Sequence, residues 1–168
     1  QAGVGTGEQW RRIGRIHYLR LNDYAKAEEA FQKAVAIFTA QKDLPLRDEA
    51  LLETGLVKER RGSFEEARKI YRAVFDRAKS PKAALYVANT YWFEGNYDEA
   101  FRWQRTALKR AEETNDDRLR LLCHSTVGLS YWTLNQHDQA IEEQGIALEL
   151  ARKLVSPIDE AAALNNTG

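Results

Sequence analysis

The sequence predicts an all-α protein built as an array of antiparallel helix pairs, and three observations carry that expectation. A turn-forming residue, a mostly aromatic place two residues on and an alanine recur four times, as Asn22 to Ala27, Gly62 to Ala67, Gly95 to Ala100 and Asn135 to Ala140. The alanines stand 40, 33 and 40 residues apart, within the period range of helical-repeat arrays. Apolar or small residues then return seven, eight and eleven positions later, from Ala34, Val35 and Phe38 in the first copy to Ala147, Leu148 and Ala151 in the fourth. That is the period of a helix, and no alternating run of Val, Ile and Thr offers a strand instead.

The first pair is expected at 9–21 with 24–41, joined by Asn22, which tolerates a left-handed backbone, and Asp23, a good N-cap. The second spans 47–61 with 64–79, where Gly62 ends one helix and Ser63 opens the next with Glu66 at capping-box spacing. The third, 82–94 with 97–114, repeats the device with Gly95, Asn96 and Glu99. The fourth, 118–134 with 137–154, has Asn135 for the turn but Gln136, a poorer cap, after it. The 40-residue spacings imply longer helices or connections between pairs one and two and between pairs three and four.

Pro45, Pro81 and Pro157 fall between pairs, where they can start helices without breaking them. Residues 1–7 read as a flexible linker, and 8–168 as one domain with repeats at about 8–43, 46–80, 81–114 and 117–155 plus an orphan first helix at 157–168. That last helix lacks its partner, so the natural protein is expected to continue, and its face around Ala161 and Leu164 offers a route to self-association.

Twenty-five basic and twenty-five acidic residues leave no net field to gather nucleic acid, anionic lipid or a strongly charged substrate. Arg11, Arg12, Arg15 and Arg20 with Lys58, Arg60 and Arg61 could form a basic stripe for single-stranded nucleic acid, but the interspersed Glu49, Glu53 and Glu59 argue against it. The lone Cys123 favours a reducing, cytoplasmic setting, and no apolar run is long enough for a membrane span.

No catalytic constellation stands out. His17, His124 and His137 have no metal-ligand spacing, and no cofactor is expected. His124 shares its phase with Leu51 and Ala84, which points to a packed, hydrogen-bonded core histidine; Cys123 beside it reads as a small core residue. Glu28-Glu29, Glu65-Glu66, Glu112-Glu113, Asp116-Asp117 and Glu142-Glu143 read as solvated helix faces, and Gly3 to Gly7 lacks the strand and Lys-Ser/Thr of a phosphate loop.

With Gly128 and Tyr131, Ala88 and Tyr91, and Gly55 in the first helices, followed by turn, aromatic and alanine, residues 9–168 resemble the tetratricopeptide repeat family. The 40-residue copies are similar to its longer subtype. Arg15 stands in the small-residue place of the first copy, Lys58 in a tyrosine place, Gln104 and Gln144 where Phe31 and Tyr71 stand, and His137 at an aromatic place.

The resemblance implies an α-solenoid with a right-handed superhelix, whose first helices line a concave groove for a protein or peptide ligand. It therefore implies a non-catalytic adaptor, sensor or scaffold. On that face the third copy puts Leu85, Asn89, Trp92 and Phe93, with Trp92 and Phe93 as expected anchors. The first contributes Arg12 and Leu19, the second Leu56 and Glu59, the fourth Leu129 and Trp132, and the orphan helix Asn165 and Asn166. Chaperone-binding members are similar in gripping a carboxyl-terminal tail with a clamp of lysines, asparagines and arginine. Here Arg12 and Lys82 match two basic places, but Ile16, Glu53 and Tyr86 fill the others, so that activity is not expected.

Overall fold

The computed structural model describes residues 5–154, and every regular element in that range is helical. The helices are α1 (Gly7–Ile16), α2 (Tyr24–Ala40), α3 (Leu44–Arg60), α4 (Phe64–Ala78), α5 (Pro81–Phe93), α6 (Tyr97–Thr114), α7 (Asp117–Thr133) and α8 (His137–Lys153). Two compact units divide after Ala78. In the first, α1 packs on α2, α2 on α3 and α3 on α4; in the second, α5 packs on α6, α6 on α7 and α7 on α8.

The turns are built as their residues dictate. Asn22, Gly62, Gly95 and Asn135 have φ of 51°, 77°, 76° and 58°, the left-handed region that Asn and Gly reach most cheaply. Asp23 and Asn96 then accept hydrogen bonds from the backbone N–H groups of Lys26 (3.1 Å) and Glu99 (3.3 Å), capping α2 and α6. Gln136 makes no such bond, and α8 starts uncapped by a side chain.

Two helices begin two or three residues earlier than the sequence suggests. Thr6 caps α1 through a reciprocal capping box with Gln9. Asp43 accepts from Leu46 N–H at 3.1 Å and lets α3 start at Leu44, with Pro45 in its first turn. The unequal repeat spacings reside in helix length, since α4 and α5 have 15 and 13 residues whereas α2, α3, α6 and α7 have 17, 17, 18 and 17.

The repeat alanines, Ala27, Ala67, Ala100 and Ala140, are each 0% exposed, so each lies where only a methyl group fits. Elsewhere in the pairs, glycines of the first helices face bulky side chains of the second. A Cβ on Gly14 would stand 2.5 Å from the Phe31 ring and one on Gly55 2.2 Å from Tyr71. In the first unit, Ala27, Phe31 and Val57 form one apolar cluster with Tyr18 and Tyr24, while Ala34, Phe38 and Ala50 form another with Trp10, Val35 and Leu46. In the second, Leu121, Ala147, Leu150 and Ala151 pack with Ile146 and Leu154.

Gly14 corrects the expectation for the first copy, where Arg15 was assigned the small-residue place. After α1 the chain runs through a wider π-helical turn, His17–Leu21, closed by Asn22 N–H to the His17 carbonyl. This turn holds one more residue than the other copies have, so every position before it shifts by one. The orphan helix at 157–168, with Pro157, Ala161, Leu164, Asn165 and Asn166, lies outside the described residues, as do residues 1–4 of the expected linker.

Candidate functional site

The first helices carry nearly all the exposed large apolar side chains. Among the described residues, Ile13, Ile16, Leu19, Leu21, Leu44, Phe93, Leu122, Leu129 and Trp132 lie on α1 and its π-helical extension, α3, α5 or α7; only Tyr97 and Ile141 lie on second helices. Second helices spend their apolar stripe inside the pair and present charge outward. The apolar surface of the first helices is what remains open.

In the first unit, Leu19 is 70% exposed and shares a hollow of about 150 Å³ with Arg15, Tyr18, Phe31, Glu53 and Leu56. The one-residue shift decides its electrostatics. Arg12, expected on the inner face, is exposed, but the inner phase belongs to Arg11, which is 5% exposed. Arg11 donates to both oxygens of Glu53, from Nε at 2.8 Å and from Nη2 at 3.2 Å, and also to Glu8 at 3.0 Å. Burial pulls its pKa down, yet the bonds to Glu53 and Glu8 outweigh that and hold it above the ordinary arginine value. Arg15 donates a further bond to Glu53 at 2.6 Å.

Glu59 lies half-buried and accepts a bond from the Tyr71 hydroxyl at 3.3 Å. Burial pushes its carboxyl above the ordinary range, against the opposing Tyr71 bond and the Arg60 charge. Much of the supposed basic stripe is likewise engaged. Lys58 and Arg61 meet Glu28 at 2.7 and 3.0 Å, and Arg60 donates to the Tyr18 hydroxyl at 3.0 Å.

In the second unit, Asn89, Trp92, Phe93 and Leu129 come together around a hollow of about 250 Å³ between α5, α6 and α7. Phe93 and Leu129 are 59% and 53% exposed, forming its rim. Trp92 is half-buried, its ring 4.7 Å from that of Tyr97 and 6.3 Å from Phe101. Trp132 does not line this hollow; it stands 43% exposed with its ring 4.8 Å from His137, the same contact one repeat on. Each tryptophan thus bridges its own helix pair while keeping part of its surface open. Leu85, expected on the open face, is 3% exposed and belongs to the core.

Gln104, Thr126, Ser130 and Thr133 complete the hollow; sequence reasoning puts Thr133 on the inner face of the fourth copy but does not assign Gln104, Thr126 and Ser130 to a site. The available signal was Gln104 itself, an amide where the other unit has Phe31 and Tyr71. A third hollow, about 450 Å³ and including Phe101, Arg105 and Tyr131, opens elsewhere on this unit.

Of the reactive side chains, His124 is buried with Nδ1 2.7 Å from Glu143 Oε2, the contact of a hydrogen-bonded core histidine. Cys123 is 0% exposed, and burial, with the Glu112 charge adding to it, pushes its thiol up to about 12. Among the described residues no group of three or more His, Cys, Asp or Glu side chains is placed to hold a metal ion, and no helix is long and apolar enough to cross a membrane.

A family model described as "Tetratricopeptide repeat" matches residues 9–80 and 81–153. No curated protein sequence matches the chain. Among solved structures, BtubC (BKLC) from P. vanneervenii is similar with a TM-score of 0.78 and 17% identity, over 95% of this chain and 69% of that one. A STAND signal-transduction ATPase with a tetratricopeptide repeat sensor, from Pyrococcus horikoshii, is similar with a TM-score of 0.72 and 18% identity, over 96% of this chain and 26% of that one. MamA is similar with a TM-score of 0.56 and 18% identity, over 96% of this chain and 82% of that one.

Proposed function

Because the chain belongs to the tetratricopeptide repeat family, we propose that it is a non-catalytic protein-interaction module. It binds a peptide segment or partner helix on the concave groove that first helices line in this family, as the adaptor or sensor part of a larger protein. The observation that carries this reading is the concentration of exposed apolar side chains on the first helices. Water-exposed Phe93, Leu129, Leu19 and Trp132 contribute nothing to the core in proportion to their size, and their burial against a partner supplies the driving force that folding left unused. The similarity to a structure that carries a tetratricopeptide repeat sensor supports the sensor form of the reading.

Nucleic-acid binding is the weaker alternative, because Arg11, Arg15, Lys58 and Arg61 already meet carboxylates within their own unit. A calorimetric titration of the physiological partner tests the proposal. Phe93→Ala with Leu129→Ala is expected to weaken binding by about 30- to 1,000-fold while leaving the helical signal and melting intact, since anchor residues typically contribute ~1–2 kcal/mol or more each. Unchanged affinity in the folded double variant rejects the assignment.

A further inference from the structure

Each place on α1 has counterparts in α3 and α7, counted from the glycine that packs against the second helix: Gly14, Gly55 or Gly128. The places five before, one before and two after that glycine form one row along the helix. In α3 the row is Ala50, Thr54 and Val57, in α7 it is Cys123, Val127 and Ser130, and all six are buried. What covers the row is the second helix of the preceding pair. Ala50 clusters with Ala34 and Phe38 of α2, and Val57 with Ala27 and Phe31. Ser130 Oγ accepts from Gln104 of α6 at 2.8 Å. In α1 the row is Gln9, Ile13 and Ile16, and all three are exposed, the isoleucines by 38% and 50%.

The row on α1 is thus a helix seat of the kind that takes α2 on α3 and α6 on α7, and its chemistry narrows what fits. Isoleucine stands where the counterparts are Thr54, Val57, Val127 and Ser130, so a helix settling here needs small side chains opposite, as α2 has in Ala27 and Ala34. Residues 7–21 carry four arginines against one glutamate, in a chain of zero net charge. Arg11 and Arg15 are spent on Glu53. Arg12 and Arg20, four residues to either side of Ile16, are exposed and meet no carboxylate among the described residues. A second copy docking α1 on α1 would set these arginines against each other, whereas a helix with acidic flanks complements them.

We propose that this face of α1 is a docking surface for an amphipathic helix of a partner protein, one that presents alanines to Ile13 and Ile16 and carboxylates to Arg12 and Arg20. It does not rest on the groove reading. Neither Ile13 nor Ile16 lines the hollows around Leu19 or Phe93, and the row lies where the internal pairs meet their neighbours.

The test titrates the whole chain with two end-blocked peptides built on residues 23–41, which hold the alanine and phenylalanine stripe of α2. The acidic peptide carries Lys26→Glu and Lys33→Glu; the basic one carries Asp23→Asn, Glu28→Lys and Glu29→Lys. The acidic peptide is expected to shift the Ile13 and Ile16 methyl resonances in NMR and to bind about tenfold more tightly than the basic one at low salt, a preference that shrinks as salt rises. Ile13→Gln with Ile16→Gln should weaken it by about tenfold or more, and Arg12→Glu with Arg20→Glu should reverse the preference. All four side chains are exposed, and circular dichroism and melting verify that the variants fold. Unmoved Ile13 and Ile16 methyls, equal affinity for the two peptides, or binding indifferent to the Gln pair overturns the proposal. So does self-association in light scattering, or sedimentation with mixed phosphatidylcholine and phosphatidylserine vesicles, that the Gln pair removes while the acidic peptide fails to bind. Each of these results leaves the groove reading standing, because its test at Phe93 and Leu129 lies outside this face.

Discussion

Glu59 shows how a residue expected to meet a partner is first constrained by its own helix pair. Its carboxyl is half-buried against Tyr71, and burial raises its pKa in the folded chain above the 4.5 of a free glutamate. The fold therefore holds the proton more tightly than the unfolded chain does. This group's stabilising contribution is present at pH below 4.5 and is lost as pH rises through the folded value. Glu59→Gln keeps an acceptor for the Tyr71 hydroxyl and removes the buried charge. Thermal melts should place the variant above the parent at pH 7, with the gap shrinking as pH falls to about 3.5. A gap that is constant across that range refutes the assignment. Residue-scale packing was partly legible in advance: the four alanines were, because a small residue at fixed spacing in a helical stripe has one good explanation. Leu85 was not, because an apolar residue next to Trp92 reads equally well as core or as surface.

At the scale of the element, the pairs close around a small residue on the first helix and a bulky one on the second. The combinations are Gly14 with Phe31, Gly55 with Tyr71 and Gly128 with Gln144. Gly55→Ala puts a methyl carbon 2.2 Å from a ring that is 0% exposed and cannot withdraw. Urea denaturation should show a loss of about 1–3 kcal/mol, the usual penalty for overpacking, in excess of any gain in helix propensity. A stabilised variant would mean that α3 and α4 separate more freely than their packing indicates.

Helix existence and most boundaries were readable because Asn, Gly, Asp and Pro act locally on the backbone, one residue at a time. The π-helical turn was not readable. Its extra residue comes from a hydrogen-bond shift over His17–Leu21 that no composition marks, and it alone moved Arg11 into the ion cluster and Arg12 out to solvent. Left-handed Lys42 and Lys79 between the pairs escaped for a similar reason, since lysine carries no preference for that region.

For the molecule as a whole, balanced charge and paired arginines fit the proposed reading, in which shape and apolar surface are the means of recognition. The first helices keep that surface open in each unit, from Leu19 in one to Phe93 and Leu129 in the other. The hollows were illegible from the sequence because a cavity depends on how side chains from three helices fall short of one another, as at Gln104. The central claim is that partners dock on first helices, and hydrogen–deuterium exchange of the chain with and without its physiological partner addresses it directly. Protection concentrated in α1, α3, α5 and α7 is the predicted result; protection confined to α2, α4, α6 and α8 would contradict it.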